Sequence, residues 1–305
     1  MKTLTGTISP ISTQALGSLM NSSLIVKNDE SWAKIFARMI SNSDLIEPPS
    51  VASRFLLTPD SYINHGGSVK GYSAAGRNMA LADPESAYNM MTVINNRDVT
   101  YKAQFAELNQ VKSEVTQMQG AGSSLGMIGI SASNDIIKSG LQGFVGQYNI
   151  WIQRINPDIR SGGLLADTQA ARASQFELEQ NFNNPVFGGT DGVHGLRDLG
   201  ITIEPDTRLA FLDTAKLDAL LATNKQGVVD AVQEFSTNFS QAASLLNSDG
   251  NFILKQLDNL KRAIHCIAEN KVSLQEEFGT GDAAKPTGRV AEALVAYNQS
   301  YALSN

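Results

Sequence analysis

The amino-acid sequence predicts a mainly α protein, an antiparallel coiled-coil bundle of long helices with a small head that contains a β-hairpin. Two observations lead to this fold class. Apolar residues recur at steps of three and four over several long stretches, which is the period of a narrow helix seam. One short segment near 195–215 instead alternates apolar residues on both sides of a turn. Hydrophobic residues make up 42% of the 305 residues, which is enough for a sizeable core.

The first long helix is predicted to begin after Asp83, an N-cap residue that is followed by Pro84 at the first helical position. Asp98 interrupts its apolar stripe, and Gly120 and Gly122 are expected to end the helix. The stripe consists of Ala87, Met91, Ile94, Tyr101, Phe105, Leu108, Val115 and Met118.

A second helix, capped by Ser133, follows a link of small residues. Asn156-Pro157 is expected to stop it, because a residue before proline disfavours the helical conformation. A further helix is predicted after Asp167 or Thr168, followed by the glycine-rich loop NNPVFGGTDGVHG. The stripe of the second helix consists of Ile137, Leu141, Phe144, Tyr148, Trp151 and Ile155.

The predicted head begins with ITIEP, in which Ile201 and Ile203 share one face. The turn residues PDTR follow, and LAFL forms the returning strand. Asp213-Thr214 then starts another helix, whose apolar side carries Leu217, Leu220 and Leu221.

The most regular stripe belongs to the helix predicted from Asn251 to Phe278, which Gly279 ends. Such a narrow stripe predicts packing against a facing helix, mainly within a bundle formed by the chain itself. Seams on helices of this length also predict self-association. The seam residues proposed for interaction are Ile253, Leu257, Leu260, Ile264 and Ile267, and the stripe continues through Leu274.

Two segments resemble the flagellar filament cap protein family, also called flagellar hook-associated protein 2. LRDLGITIEPDTRLAFLDTAKLDALLATNKQGVV is similar to the C-terminal region of that family, and SASNDIIKSGLQGFVGQYNIWIQRI is similar to its re-entrant stalk helix. The matching positions are Leu196, Leu199, Gly200, Ile201, Leu209, Leu212, Asp213, Leu217, Leu220, Leu221, Phe144, Val145, Tyr148 and Asn149. The resemblance covers roughly residues 85 to 305. Because only GAGSSLGMIGIS stands where the family carries large outer β-domains, it implies a reduced form without them.

This resemblance implies a non-enzymatic structural protein of the flagellum, of the filament cap or hook–filament junction type. Such a protein acts in motility by forming a homo-oligomer and contacting flagellin or other flagellar axial proteins. It is expected in the extracellular flagellum, exported by flagellar type III secretion without a cleaved signal peptide. The alternative is a cytoplasmic export chaperone or regulatory interaction protein built on a cap-like helical bundle.

The sequence divides into an N-terminal loop-rich arm with one short helix (1–82), a helical stalk (83–285) and an amphipathic tail helix (286–305). Val290, Leu294, Tyr297 and Tyr301 form the apolar face of the tail and are candidate interaction residues. The tail is expected either to dock on the long helix of its own chain or to order on a neighbouring subunit or on filament protein.

No catalytic, cofactor-binding or metal-binding residues are predicted, and we expect no cofactor. His65, His194 and His265 are isolated from one another, and Cys266 is the only cysteine. The net charge of −6 and the absence of basic runs argue against a nucleic-acid partner. No apolar run is long enough to predict insertion into a membrane.

Overall fold

The computed structural model describes residues 71–183 and 192–302, with side-chain surroundings up to Ser300. Most of the predicted N-terminal arm, including His65, lies outside these ranges, as do part of the glycine-rich loop and the side chain of Tyr301. The helices are α1 (Pro84–Leu125), α2 (Asn134–Ile159), α3 (Gln169–Asn183), α4 (Thr214–Thr223), α5 (Lys225–Leu246), α6 (Phe252–Phe278) and α7 (Gly288–Ala302), and the strands are β1 (Ile201–Ile203) and β2 (Ala210–Leu212).

Helix α1 is the central element of the bundle, and α2, α5, α6 and α7 all pack against it. Its start agrees with the sequence prediction, because the side chain of Asp83 accepts a hydrogen bond from the Ser86 amide at 3.0 Å and Pro84 occupies the first helical position. With 42 residues it is roughly 63 Å long at 1.5 Å per residue. The prediction of a mainly α fold with a small hairpin is confirmed.

Helices α5 and α6 lie one after the other along α1 and run antiparallel to it. The Ser236 hydroxyl of α5 donates to the Gly122 carbonyl at 2.8 Å, and the Asn247 side chain, at the end of α5, donates to the Lys112 carbonyl at 3.1 Å. Residue numbers therefore rise along α5 as they fall along α1. Helix α6 then continues along the N-terminal half of α1.

The prediction that glycines end α1 is wrong, because the helix continues to Leu125. Gly122 is buried against α5, where a Cβ atom would lie 2.7 Å from Cδ1 of Phe239 and 3.1 Å from Oγ of Ser240. A glycine at this position allows the two helix backbones to approach closely. Gly120 has no described atom within 4 Å of a Cβ position and remains inside the helix.

The prediction that Asn156-Pro157 stops α2 is also wrong, because this helix extends to Ile159. A proline so close to the end removes only one backbone hydrogen bond. The last turn is supported instead by tertiary contacts. The carbonyl of the fully buried Asp158 accepts from the Leu165 amide at 2.9 Å, and Gln175 donates to the side chain of Asn156 at 2.8 Å.

Helix α5 contributes two rings to an aromatic core that the apolar stripes in the sequence did not predict. Phe144 of α2 packs edge-on against Phe235 and Phe239 of α5, with ring centroids 5.3 and 5.0 Å apart. Phe182 of α3 stacks on Phe144 at 5.5 Å. Because aromatic side chains bury large apolar areas, this cluster fixes α2, α3 and α5 relative to one another.

The hairpin forms as predicted, with Ile201 opposite Leu212 and Ile203 opposite Ala210. Asn149 of α2 holds it in place, because its side chain both donates to the Ala210 carbonyl at 2.9 Å and accepts from the Ala210 amide at 2.7 Å. The two segments that carry the family resemblance therefore meet at this contact.

We expect Gly122→Ala to lower the free energy of unfolding by about 1–3 kcal/mol, because the added methyl group overpacks the contact between α1 and α5. Gly120→Ala is the matched control on the same helix. It should raise the free energy of unfolding by up to about 1 kcal/mol, since alanine favours helix and the added methyl group meets no described atom. Urea unfolding of both variants measures the difference, and equal effects would contradict the close-approach explanation.

Candidate functional site

The seam of α6 that the sequence proposes for interaction is buried inside the chain. Its residues Ile253, Leu257, Leu260, Ile264 and Ile267 are at most 6% exposed, and α6 packs along α1. The facing helix that a narrow seam requires is thus supplied by the same polypeptide. Contact of these side chains with a partner stays a prediction, and it would require a helix to be exchanged between chains.

The tail helix α7 lies on α1 of its own chain, which is one of the two predicted alternatives. Tyr297 is buried and its ring meets Phe105 edge-on, with centroids 5.9 Å apart. Val290 and Leu294 are half-buried, and Ala293 packs in a small cluster with Ala103 of α1. A contact of the same face with a neighbouring subunit stays a prediction.

A cluster of charged side chains, some of them buried, joins the tail to the stalk where α7 begins. Arg154 of α2 forms ion pairs with Glu107 and Glu114 of α1 and lies 2.9 Å from Asp158. Arg289, in the first turn of α7, reaches the same Asp158 oxygen at 2.5 Å. Asp158 is fully buried, so the two guanidinium groups provide the positive charge that its carboxylate needs. We call these five residues the charge cluster.

The charge cluster contains three carboxyl groups and two guanidinium groups, which leaves one negative charge uncompensated when all of them are ionised. Burial raises the pKa of the Glu107 carboxyl, and the charge of Arg154 only partly opposes this effect. Burial likewise raises the pKa of Glu114, although Gln110 donates a hydrogen bond to it at 3.0 Å. The second carboxylate oxygen of Glu114 has no hydrogen-bond partner among the described residues.

The sequence analysis missed the charge cluster, although a signal was present. Glu107 and Glu114 lie in step with the buried residues Val111 and Met118 at spacings of four, three and four. Carboxylates at such positions face the interior of the bundle, where an isolated charge is costly. The charged residues that complete the cluster on α2, Arg154 and Asp158, lie four residues apart in the sequence.

The link between α6 and α7 is held by a second set of polar contacts. Tyr72 donates to the Glu276 carbonyl at 2.8 Å and Asn78 donates to the Glu277 carbonyl at 3.0 Å, so both side chains satisfy carbonyls at the end of α6. Asn95 of α1 donates to the Asp282 carbonyl at 2.9 Å. The direction in which the chain leaves α6 towards α7 is therefore fixed by the N-terminal part of α1 and the residues before it.

Among the described residues, no group of three or more histidine, cysteine, aspartate or glutamate side chains is arranged to hold a metal ion. Of the helices in those same residues, none has the length and hydropathy to cross a bilayer. Cys266 is half-buried, and burial raises the pKa of its thiol.

A family model described as flagellar hook-associated protein 2 C-terminus matches residues 115–285, more than half of the chain. The chain belongs to the flagellar hook-associated protein 2 family. The matched region runs from the second half of α1, through the head, to the link before α7. Membership in this family agrees with the resemblance noted in the sequence.

The chain is also similar to a solved structure, the D1-D2-D3 domains of the flagellar cap protein FliD from Escherichia coli. The two are 23% identical, with a TM-score of 0.35, over 42% of this chain and 37% of that one. The match thus spans little more than a third of the length of the solved chain. No curated protein matches the chain.

We expect Arg289→Met to loosen α7 while leaving the stalk folded, because Asp158 keeps its pair with Arg154. The free energy with which α7 packs on the stalk should become less favourable by about 1–2 kcal/mol. This is less than for a fully buried pair, since the Arg289 side chain is 42% exposed. Amide hydrogen exchange in α7 measures it. Arg262→Met, on the exposed face of α6, is the control. Unchanged exchange in the Arg289 variant would show that the pair does not hold the tail.

Glu114→Gln should change how stability depends on pH. A carboxyl group whose folded-state pKa is raised stabilises the fold while protonated, fully below its unfolded pKa of about 4.3, and this contribution is lost as the pH rises through the folded pKa. The glutamine variant stays neutral, so its stability relative to the unmodified chain should rise between about pH 4 and about pH 7.5. Urea midpoints at both pH values test this, with Glu177→Gln on the exposed face of α3 as control.

Proposed function

We propose that this protein is an exported structural subunit at the filament cap or the hook–filament junction, where it self-associates and contacts flagellin or another axial protein. The observation that carries the proposal is the match of residues 115–285 to the hook-associated protein 2 C-terminus. Secretion by the flagellar type III route and a role in motility follow from the same assignment.

The form of the described residues supports a mechanical role. Helix α1 is covered along its length by α5 and α6. A long packed bundle of this kind is suited to hold two parts of an assembly at a fixed separation. The head is attached to α2 by the paired hydrogen bonds of Asn149, so it follows the rod as one body. A rigid scaffold of this kind presents its binding groups at defined places.

The tail is our proposed contact to a neighbouring subunit, through the face that carries Val290, Leu294, Tyr297 and Tyr301. The link between α6 and α7 has no regular secondary structure. Contacts of α7 with α1 include one small apolar cluster and the ring of Tyr297. An α7 helix from a neighbour can make the same contacts, which is the condition for exchange of identical elements between subunits.

Deleting the gene and examining filaments by electron microscopy tests the capping role. Short or absent filaments, with unpolymerised flagellin accumulating in the medium, are expected because assembly at the tip would fail. Normal filaments with normal flagellin secretion would contradict the capping role. Complementation with the unmodified gene should restore filament length.

Secretion of the protein distinguishes the proposal from the alternative of a cytoplasmic export chaperone. A tagged copy should appear in the medium or in sheared filaments of cells with a working flagellar export apparatus, and stay inside cells that lack the export ATPase. A copy retained in both strains would favour the chaperone.

A further inference from the structure

The charge cluster is assembled from the stalk, which supplies four of its residues, and from the tail, which supplies only Arg289. Arg289 lies 2.5 Å from an oxygen of Asp158. Arg154 lies 2.9 Å from the same oxygen and also forms ion pairs with Glu107 and Glu114. One guanidinium group of the stalk therefore serves three carboxyl groups, and the second guanidinium group reaches the cluster only when the tail is docked.

Two buried oxygens of the cluster lack a hydrogen-bond donor within the described part of the chain, namely Oδ1 of Asp158 and Oε2 of Glu114. Asp158 is fully buried, and Glu114 is 9% exposed. A buried carboxylate oxygen without a donor is costly while the group is charged. Either a bound proton or a nearby positive charge lowers this cost, so protons and the tail arginine act on the same groups.

Glu107 and Glu114 are the groups on which a proton is most easily held. Burial raises the pKa of the Glu107 carboxyl, Arg154 opposes this effect in part, and Asp158 adds to it. Burial also raises the pKa of Glu114, where Gln110 and Arg154 oppose the effect and Asp158 again adds to it. The charged groups that face the two glutamates are therefore Arg154 and Asp158 of α2, and α7 acts on them through Asp158.

Docking of α7 changes the charge cluster in two opposite ways. Burial beneath α7 disfavours the charged form of a carboxyl group, whereas the guanidinium group of Arg289 favours it. The Arg289 side chain is 42% exposed, so α7 leaves this part of the cluster in contact with water. The added positive charge is therefore the larger effect, and the docked cluster holds fewer protons than the undocked cluster.

We propose that docking of α7 on its own chain is coupled to the release of protons from the charge cluster, so that the tail docks more tightly as the pH rises. With every group charged, the cluster has two excess negative charges without the tail and one with it. With both glutamates protonated, Arg154 and Asp158 form a balanced pair, to which Arg289 adds a surplus positive charge. The inference concerns contacts within one chain and stands apart from the proposed exchange between subunits.

The same two glutamates act in opposite directions on docking and on global unfolding. Unfolding moves them from a buried site into water, which lowers their raised pKa, so this contribution to stability is lost as the pH rises. Undocking leaves them in the stalk and removes a positive charge, which raises their pKa, so docking is weakened as the pH falls. A general loss of stability in acid does not produce this pair of opposite effects.

Amide hydrogen exchange of the full chain measures the coupling. Protection factors in α7, corrected for the intrinsic pH dependence of exchange, should rise about three- to tenfold between about pH 5 and about pH 8. A close opposite charge shifts a carboxyl pKa by about one unit, equivalent to a tenfold change, and the exposure of Arg289 reduces it. Protection factors in α6, which follow opening of the stalk, should not rise. Constant or falling protection in α7 would overturn the proposal.

Variants of the cluster show which groups cause the pH dependence. The double variant Glu107→Gln, Glu114→Gln imitates the protonated state, so α7 should keep its low protection at both pH values. Arg289→Met should abolish the pH dependence, and Arg289→Lys, which retains the charge, should preserve it. Lys285→Met is the matched control, because it removes the same charge from an exposed residue of the link. A pH dependence that persists in the double glutamine variant arises from other groups, and the proposal then fails.

Titration of the side-chain carboxyls by NMR provides the reciprocal test. If protons weaken the docking of the tail, loss of the tail contact must favour binding of protons. Glu107 and Glu114 should therefore titrate at a higher pH in Arg289→Met than in the unmodified chain, and at an unchanged pH in Lys285→Met. Circular dichroism of each variant verifies that the fold is retained. Titration of both glutamates at the same or a lower pH in Arg289→Met would show that Arg289 only packs against the stalk, and would overturn the coupling.

Discussion

A helix as long as α1 persists in water only if its apolar stripe is covered along its full length, because helix propensity alone does not stabilise it. In the described part of the chain, no single helix does this. Helices α5 and α6 each cover part of the stripe of α1. The turn between them lies at Lys112, where the side chain of Asn247 donates a hydrogen bond to the backbone carbonyl of α1. The positions of the head, of the link after α6 and of the tail all follow from this arrangement.

The close contact of α1 with α5 shows how this coverage is achieved. At Gly122 the backbone of α1 approaches Phe239, and the hydroxyl of Ser236 bonds to a carbonyl of α1. The aromatic cluster of Phe144, Phe182 and Phe235 then connects the same region to α2 and α3. Apolar packing and close backbone approach therefore stabilise the same part of the bundle, which is the part that the family match includes.

The charge cluster gives the tail a different kind of attachment. A buried ion pair contributes little net stability compared with apolar packing, but it is sensitive to the loss of one partner and to pH. Because Asp158 is shared between Arg154 of the stalk and Arg289 of the tail, the stalk retains a compensating charge when the tail is removed. A joint of this type is compatible with the proposed exchange of α7 between subunits.

Local patterns in the sequence predicted much of the fold. The caps at Asp83 and Asp213, the hairpin between Ile201 and Leu212, and the seam of α6 all depend on residues within one or two turns of chain. Their energetics are determined by neighbours in sequence, so a single sequence is sufficient to recognise them.

Only the tertiary structure decided the features that depend on distant neighbours. Gly122 is a contact residue rather than a helix end because Phe239 lies opposite, and α2 passes through Pro157 because its last turn is held by residues of other segments. By itself the sequence determined that the apolar stripes must be buried and that the chain reverses in a hairpin between Ile201 and Leu212. Which stripe covers which, and which carboxylates share an arginine, depends on packing between residues far apart in the chain, which no local pattern encodes.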